Sequence, residues 1–142
     1  MERELEQEFV GMFVQKYYRE RLIYELANKK KRHNAIQKLP TMIDEKYIVL
    51  DATKMSPEAV IDYLKGKTDT EEECYIIADC SDDDGKKKIL REAIEEYFYF
   101  GGITVLICKN SFAFIKDELC VGSCWKCILH HPNENALTGK TP

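Results

Sequence analysis

An α/β fold, α+β in character, follows from three features of the chain. Residues 74–79 (CYIIAD) and 103–108 (ITVLIC) are short apolar runs rich in β-branched side chains, which is strand composition. Between them, residues 81–100 open with Ser-Asp-Asp-Asp, repeat apolar side chains at helical spacing and close at Gly101 and Gly102. Residues 2–39 also place apolar side chains three or four apart, the period of an amphipathic helix. The reading is two N-terminal helices followed by a mixed sheet of about five strands. Strand–helix–strand units build the sheet, and an antiparallel hairpin closes it.

Each element has its local reason. Leu5, Phe9, Met12 and Phe13 form the first stripe, and Leu22, Ile23, Leu26, Ile36 and Leu39 the second. Lys16 to Arg21 interrupt the stripe and predict a break. Pro40 predicts the end of the second helix, because proline disfavours helix in the residue before it. Residues 46–51 (KYIVLD) read as a short strand. Ser56 and Pro57 then suit the cap and first position of a helix that Gly66 ends. This strand, helix and the 74–79 strand form one strand–helix–strand unit. In the next, Ser81 caps a helix and Asp82, Asp83 and Asp84 face the positive end of its dipole. Its stripe is Ile89, Leu90, Ala93, Ile94, Tyr97 and Phe98. Strands joined in this way pair in parallel by a right-handed crossover.

Residues 103–108 are apolar on both alternating faces, which places that strand centrally, covered on both sides. Lys109 and Asn110 turn the chain into residues 111–116, and residues 125–131 read as the last strand. Residues 1–131 make one α/β domain and 132–142 a polar C-terminal tail.

Composition narrows the class. The chain has 142 residues, 44% hydrophobic and 32% charged, as expected of a soluble globular protein. No apolar run approaches the roughly 20 residues of a membrane span. The opening sequence, MERELE, lacks the basic and apolar regions of a secretory signal, so a cytoplasmic location is expected. Cys74, Cys80 and Cys108 lie in or beside strand-like runs and read as small core residues, reduced in that compartment.

Charge is unevenly placed. Residues 16–38 hold eight Lys and Arg against Glu20 and Glu25, a net of +6. Residues 69–84 hold eight Asp and Glu and no basic residue, a net of −8. Such segregation suggests charged partners. Lys29, Lys30, Lys31, Arg32 and His33 form the basic run, and Asp82, Asp83 and Asp84 the acidic one. A short basic run is most often a solvated face. Nucleic acid is a second reading of residues 29–33, without stacking aromatics inside the run to support it.

Two other groups could carry chemistry. Asp51 and Asp79 end strands expected to be parallel, where open α/β sheets place their ligand sites. With Asp82 they could hold Mg²⁺, which takes carboxylate oxygens. The ordinary role of such residues is to cap turns and helices. Cys120, Cys124, Cys127 and His130 have zinc-ligand chemistry. Strand alternation sends Cys127 and His130 to opposite faces, so no bound zinc is expected. The Cys124–Cys127 pair leads into a strand rather than opening a helix, which is the wrong context for a redox pair. No phosphate-binding glycine motif occurs, and no cofactor is implied.

The expected function is therefore that of a small non-enzymatic interaction protein. An inhibitor of the immunity or antitoxin kind, binding a charged protein partner, has this size and charge layout. The alternatives are a small Mg²⁺-dependent enzyme using Asp51, Asp79 and Asp82, and a zinc-clipped nucleic-acid-binding module.

Overall fold

The computed structural model describes residues 2–118 and 124–132. The N-terminal region forms three helices rather than two: α1 (Arg3–Phe13), α2 (Arg19–Ala27) and α3 (Arg32–Met42). The first break is the expected one, a 3₁₀ turn at Lys16–Tyr18. At the second, Asn28 Oδ1 accepts from the Lys30 and Lys31 amides at 3.0 and 3.2 Å. Such an Asx turn offers the backbone an alternative to helix. Pro40 does not end α3 but sits buried in its last turn. A proline so near the C-terminus removes little of the helical ladder.

The remaining elements are β1 (Ile48–Asp51), α4 (Pro57–Lys65), β2 (Glu73–Ala78), β3 (Lys87–Ile89), α5 (Leu90–Tyr97), β4 (Thr104–Ile107), β5 (Phe112–Lys116) and β6 (Lys126–His130). The α4 termini follow the sequence reading. Ser56 Oγ accepts from the Ala59 amide at 3.1 Å, Pro57 is the first helical residue and Gly66 the C-cap.

The helix expected from Ser81 begins only at Leu90. Before it the chain turns back along β2. Gly85 has φ 83°, and its amide donates to Ile76 O at 2.7 Å. The chain then runs as β3, antiparallel to β2. This inserted strand changes the topology.

Among the described residues six strands pair in the order β1-β6-β5-β4-β2-β3, and every neighbouring pair is antiparallel. The expected parallel pairs do not form. β3 and β4 run the same way, but they lie on either side of β2. β1 and β2 also share a direction, with β6, β5 and β4 between them. A strand that reverses the chain before α5 leaves β2 facing an antiparallel neighbour on each side.

The sheet is covered on both faces. Phe9, Phe13, Leu22, Ile36 and Leu39 of α1–α3 pack on Tyr75, Ile77, Val105, Ile115 and Leu129. Val60, Leu64, Ile94 and Phe98 of the α4–α5 side pack on Ile76, Leu106, Phe114 and Ile128. β4 is central, as its two apolar faces require. Asn110 and Ser111 turn it into β5 with φ near 60° at both. Asn tolerates that left-handed conformation better than most residues.

Among the described residues, no helix is long and apolar enough to cross a membrane.

Candidate functional site

The basic run divides on folding. Lys29, Lys30 and Lys31 are exposed at the α2–α3 corner, whereas Arg32 is buried. Its Nη1 and Nη2 donate to the two Glu6 carboxylate oxygens at 2.7 and 2.8 Å. Its Nε and Nη2 donate to those of Asp84 at 2.7 and 2.8 Å. Nη1 also reaches Leu26 O at 2.9 Å, so all five guanidinium N–H groups are used. Tyr75 OH donates to Glu6 Oε2 at 2.6 Å, and Asp84 Oδ1 accepts from the Ala78 amide at 3.1 Å. Burial works against the Arg32 charge, but hydrogen bonds to Asp84 and Glu6 outweigh it and hold the guanidinium above its ordinary pKa. This clasp joins α1, α2, α3, β2 and the 81–86 turn. Arg32 and Asp84, both read as partner-facing from sequence, face each other instead.

The rest of the acidic run is divided too. Asp83 accepts from Tyr97 OH at 2.5 Å and from Lys88 Nζ at 3.1 Å, and these contacts hold its carboxyl below the usual range. Ser81 Oγ accepts from the Asp83 amide, forming a turn instead of capping a helix. Asp82 is exposed.

Asp79 follows β2 directly and is buried. Its Oδ1 lies 2.7 Å from His33 Nδ1, and its Oδ2 accepts from Gln37 Nε2 at 2.5 Å. Both partners sit on α3 one turn apart, the spacing that brings i and i+4 side chains together. Cys80 comes next with φ 61° and is exposed, not in the core as its sequence neighbours suggested. The Asp79 charge beside it is the main cause that pushes its thiol pKa up. The side chains of His33, Asp79 and Cys80 bring one ligand atom each to within 4.8 Å of one another. They line an open cleft of about 390 Å³ with Arg32, Ser81 and Asp82. Gly102 backs this corner. A Cβ there would meet Asp79 O at 2.8 Å, so a larger residue would displace the β2 end.

Asp51 does not join them. Three strands separate β1 from β2, roughly 19 Å at the usual strand spacing. Its carboxylate accepts from the Thr53 amide at 3.0 Å in a local turn. Asp79 and Asp82 therefore share a cleft that Asp51 does not reach.

Among the described residues, Cys124, Cys127 and His130 form no ligand cluster. Cys127 packs in the α1–α3 core, and His130 stacks on Phe112 on the other face at 4.1 Å. Cys124 donates to Asp117 O at 3.1 Å. Cys120 lies outside the described residues.

Two buried lysines went unread in the sequence. Lys116 of β5 and Lys126 of β6 face each other directly across the ladder on the α4–α5 side. Lys116 Nζ donates to Gly102 O at 2.7 Å and Asp117 O at 2.9 Å, and Lys126 Nζ sits 4.8 Å from the Phe98 ring centroid. Among the described residues Lys116 forms no ion pair with a carboxylate. Burial is the main cause that lowers its pKa, and the Lys126 charge adds to it against the opposing pull of Cys124 and Asp117. An amine whose folded pKa lies below the unfolded value costs stability fully at pH below the folded value. That cost fades as pH rises toward the ordinary 10.5. Relative to wild type, Lys116→Met should thus be more favourable at pH 7 than at pH 10, where part of that advantage is gone. Urea unfolding of both proteins at pH 7 and 10 checks this. A pH-independent difference would refute it.

The 3₁₀ turn at Lys16–Tyr18 and the outer face of α2 each carry an exposed aromatic residue. Tyr17 and Tyr24 are 89% and 59% exposed. Arg21 lies between them, four residues from Tyr17 and three from Tyr24, and Lys31 follows at the α2–α3 corner beyond the helix end. Tyr17 also lines an open cleft of about 740 Å³ floored by Pro40, Ile43, Ile48 and Trp125.

Comparison with protein families, curated proteins and solved structures finds no match to this chain.

Proposed function

We propose that this protein is a non-enzymatic interaction module that docks an acidic protein surface along the outer face of α2. The observation that carries it is the exposed set of Tyr17, Arg21 and Tyr24, with Lys29, Lys30 and Lys31 exposed at the adjoining α2–α3 corner. Tyrosine and arginine dominate binding energy at protein interfaces, because each gives large contact area with a polar end. Isolated exposed aromatics on a helix otherwise gain little from water contact. The lysines at the α2–α3 corner supply the field that steers an acidic partner and raises its association rate. The acidic run is the weaker candidate face, since Asp83 and Asp84 are tied to Tyr97, Lys88 and Arg32. A small inhibitor of the immunity or antitoxin kind, covering a charged toxin, is the functional class this reading favours. That step rests on size and charge alone.

The test places a photo-crosslinking amino acid at Tyr24 in the source cell and identifies the adduct by mass spectrometry. The expected adduct is one acidic protein. With Lys29, Lys30 and Lys31 changed to Glu, association with that protein should slow at least tenfold and lose its salt dependence. Equal association by the reversed variant would refute the proposal. Capture abolished by nuclease would refute it in favour of nucleic acid.

A further inference from the structure

The geometry points to a binding site for a zinc-type divalent cation formed by His33, Asp79 and Cys80, a site separate from the α2 docking face. Among the described residues these are the one set of three ligand-bearing side chains gathered closely enough to share an ion. They offer an imidazole nitrogen, a carboxylate oxygen and a thiol sulfur. That mixture suits Zn²⁺ and disfavours Mg²⁺, which takes oxygen ligands.

Distances permit it. Tetrahedral zinc bonds of 2.0–2.2 Å to oxygen and nitrogen hold the two atoms roughly 3.4 Å apart. The His33 Nδ1–Asp79 Oδ1 contact, at 2.7 Å, opens by less than one ångström to admit the ion. His33 and Cys80 are exposed and free to make that adjustment, while buried Asp79 stays as the anchor. Gln37 donates to the second Asp79 oxygen, the supporting hydrogen bond that ligating carboxylates commonly have.

Electrostatics agree. Arg32 is already matched by two carboxylates, Glu6 and Asp84. Asp79 is held by His33 and neutral Gln37, and Asp82, at the rim of the cleft, makes no ion pair among the described residues. The corner therefore carries uncompensated negative charge. Cys80 coordinates as thiolate, its proton passing to the buffer. Its left-handed backbone places the thiol beside Asp79 at the strand end, an unusual conformation of the kind found at functional sites. Three protein ligands leave the fourth position open to the cleft for water, or for Asp82.

The experiment titrates reduced, chelator-treated protein with Co²⁺, then with Zn²⁺. One Co²⁺ per chain is expected, with the visible bands of tetrahedral cobalt and a thiolate-to-cobalt charge-transfer absorption. Zn²⁺ should displace it. Cys80→Ser should abolish the charge-transfer band, and both Cys80→Ser and His33→Ala should weaken affinity at least tenfold. Both residues are exposed, so unchanged thermal melting will show that the variants fold. No stoichiometric binding at micromolar metal would overturn the proposal. So would a charge-transfer band that survives Cys80→Ser but disappears in Cys120→Ser or Cys124→Ser, which would assign the metal to the C-terminal cysteines.

Discussion

Arg32→Met should lower stability by about 3–5 kcal/mol, the cost of breaking a buried charge cluster by removing one member. The arginine uses all five N–H donors inside the protein. Removing it leaves Glu6, a buried residue of α1, and Asp84 without their cation, and two carboxylates then face one another across the vacated space. Methionine replaces much of the volume, so the effect reports charge and hydrogen bonding more than a cavity. Lysine should rescue little, because a single ammonium cannot form two forked pairs at once. In thermal melts the loss corresponds to a fall of roughly 10–15 °C for a chain near this size. A loss under about 1 kcal/mol would show that Glu6 and Asp84 find other partners, and that the clasp does not hold α1–α3 to the sheet. Because Arg32 sits next to His33, Co²⁺ affinity in this variant should fall as well, through misplacement of α3 relative to Asp79.

Phe114→Ala should cost about 3–5 kcal/mol, the range for removing a buried phenylalanine. Phe114 sits at the middle of β5, level with Leu106 of β4 and Ile128 of β6, and is fully buried. Its ring stacks on Phe98 just after α5, with centroids 6.1 Å apart. A central strand cannot move inward to fill the space, because its neighbours hold it by backbone hydrogen bonds on both sides. The cavity therefore persists, and its volume sets the size of the loss. Phe114→Leu should recover more than half of it. Urea denaturation with an unchanged slope is the measurement. A cost below about 1.5 kcal/mol would mean that the α4–α5 layer does not pack on β5 as described.

Much of the fold was legible in the chain. The apolar period of residues 2–39, the Ser56–Pro57 cap and the doubly apolar run at 103–108 each specify a local structure through nearby residues alone. Stripe and alternation also separated Cys127 from His130, because side-chain direction in a strand depends only on position. Two short-range signals misled. Ser81 followed by three aspartates has the composition of a helix start, but those side chains turn the chain toward β2, Arg32 and Tyr97. Pro40 is tolerated in a last turn. Lys116 and Lys126 carry no local signal of burial, yet neighbouring elements cover them.

What only the tertiary structure decided is which distant residues meet. Strand direction depended on β3, a three-residue strand that exists because β2 is there to pair with it. Without it the 73–110 segment reads as a parallel unit, with Asp51 and Asp79 beside each other. With it, three strands separate them. The approach of His33 to Asp79 spans 46 residues, and that of Glu6 to Tyr75 spans 69. A pattern of hydrophobic spacing says which face of a helix turns inward. It carries no information about which carboxylate waits on the other side, because that is set by the packing of whole layers.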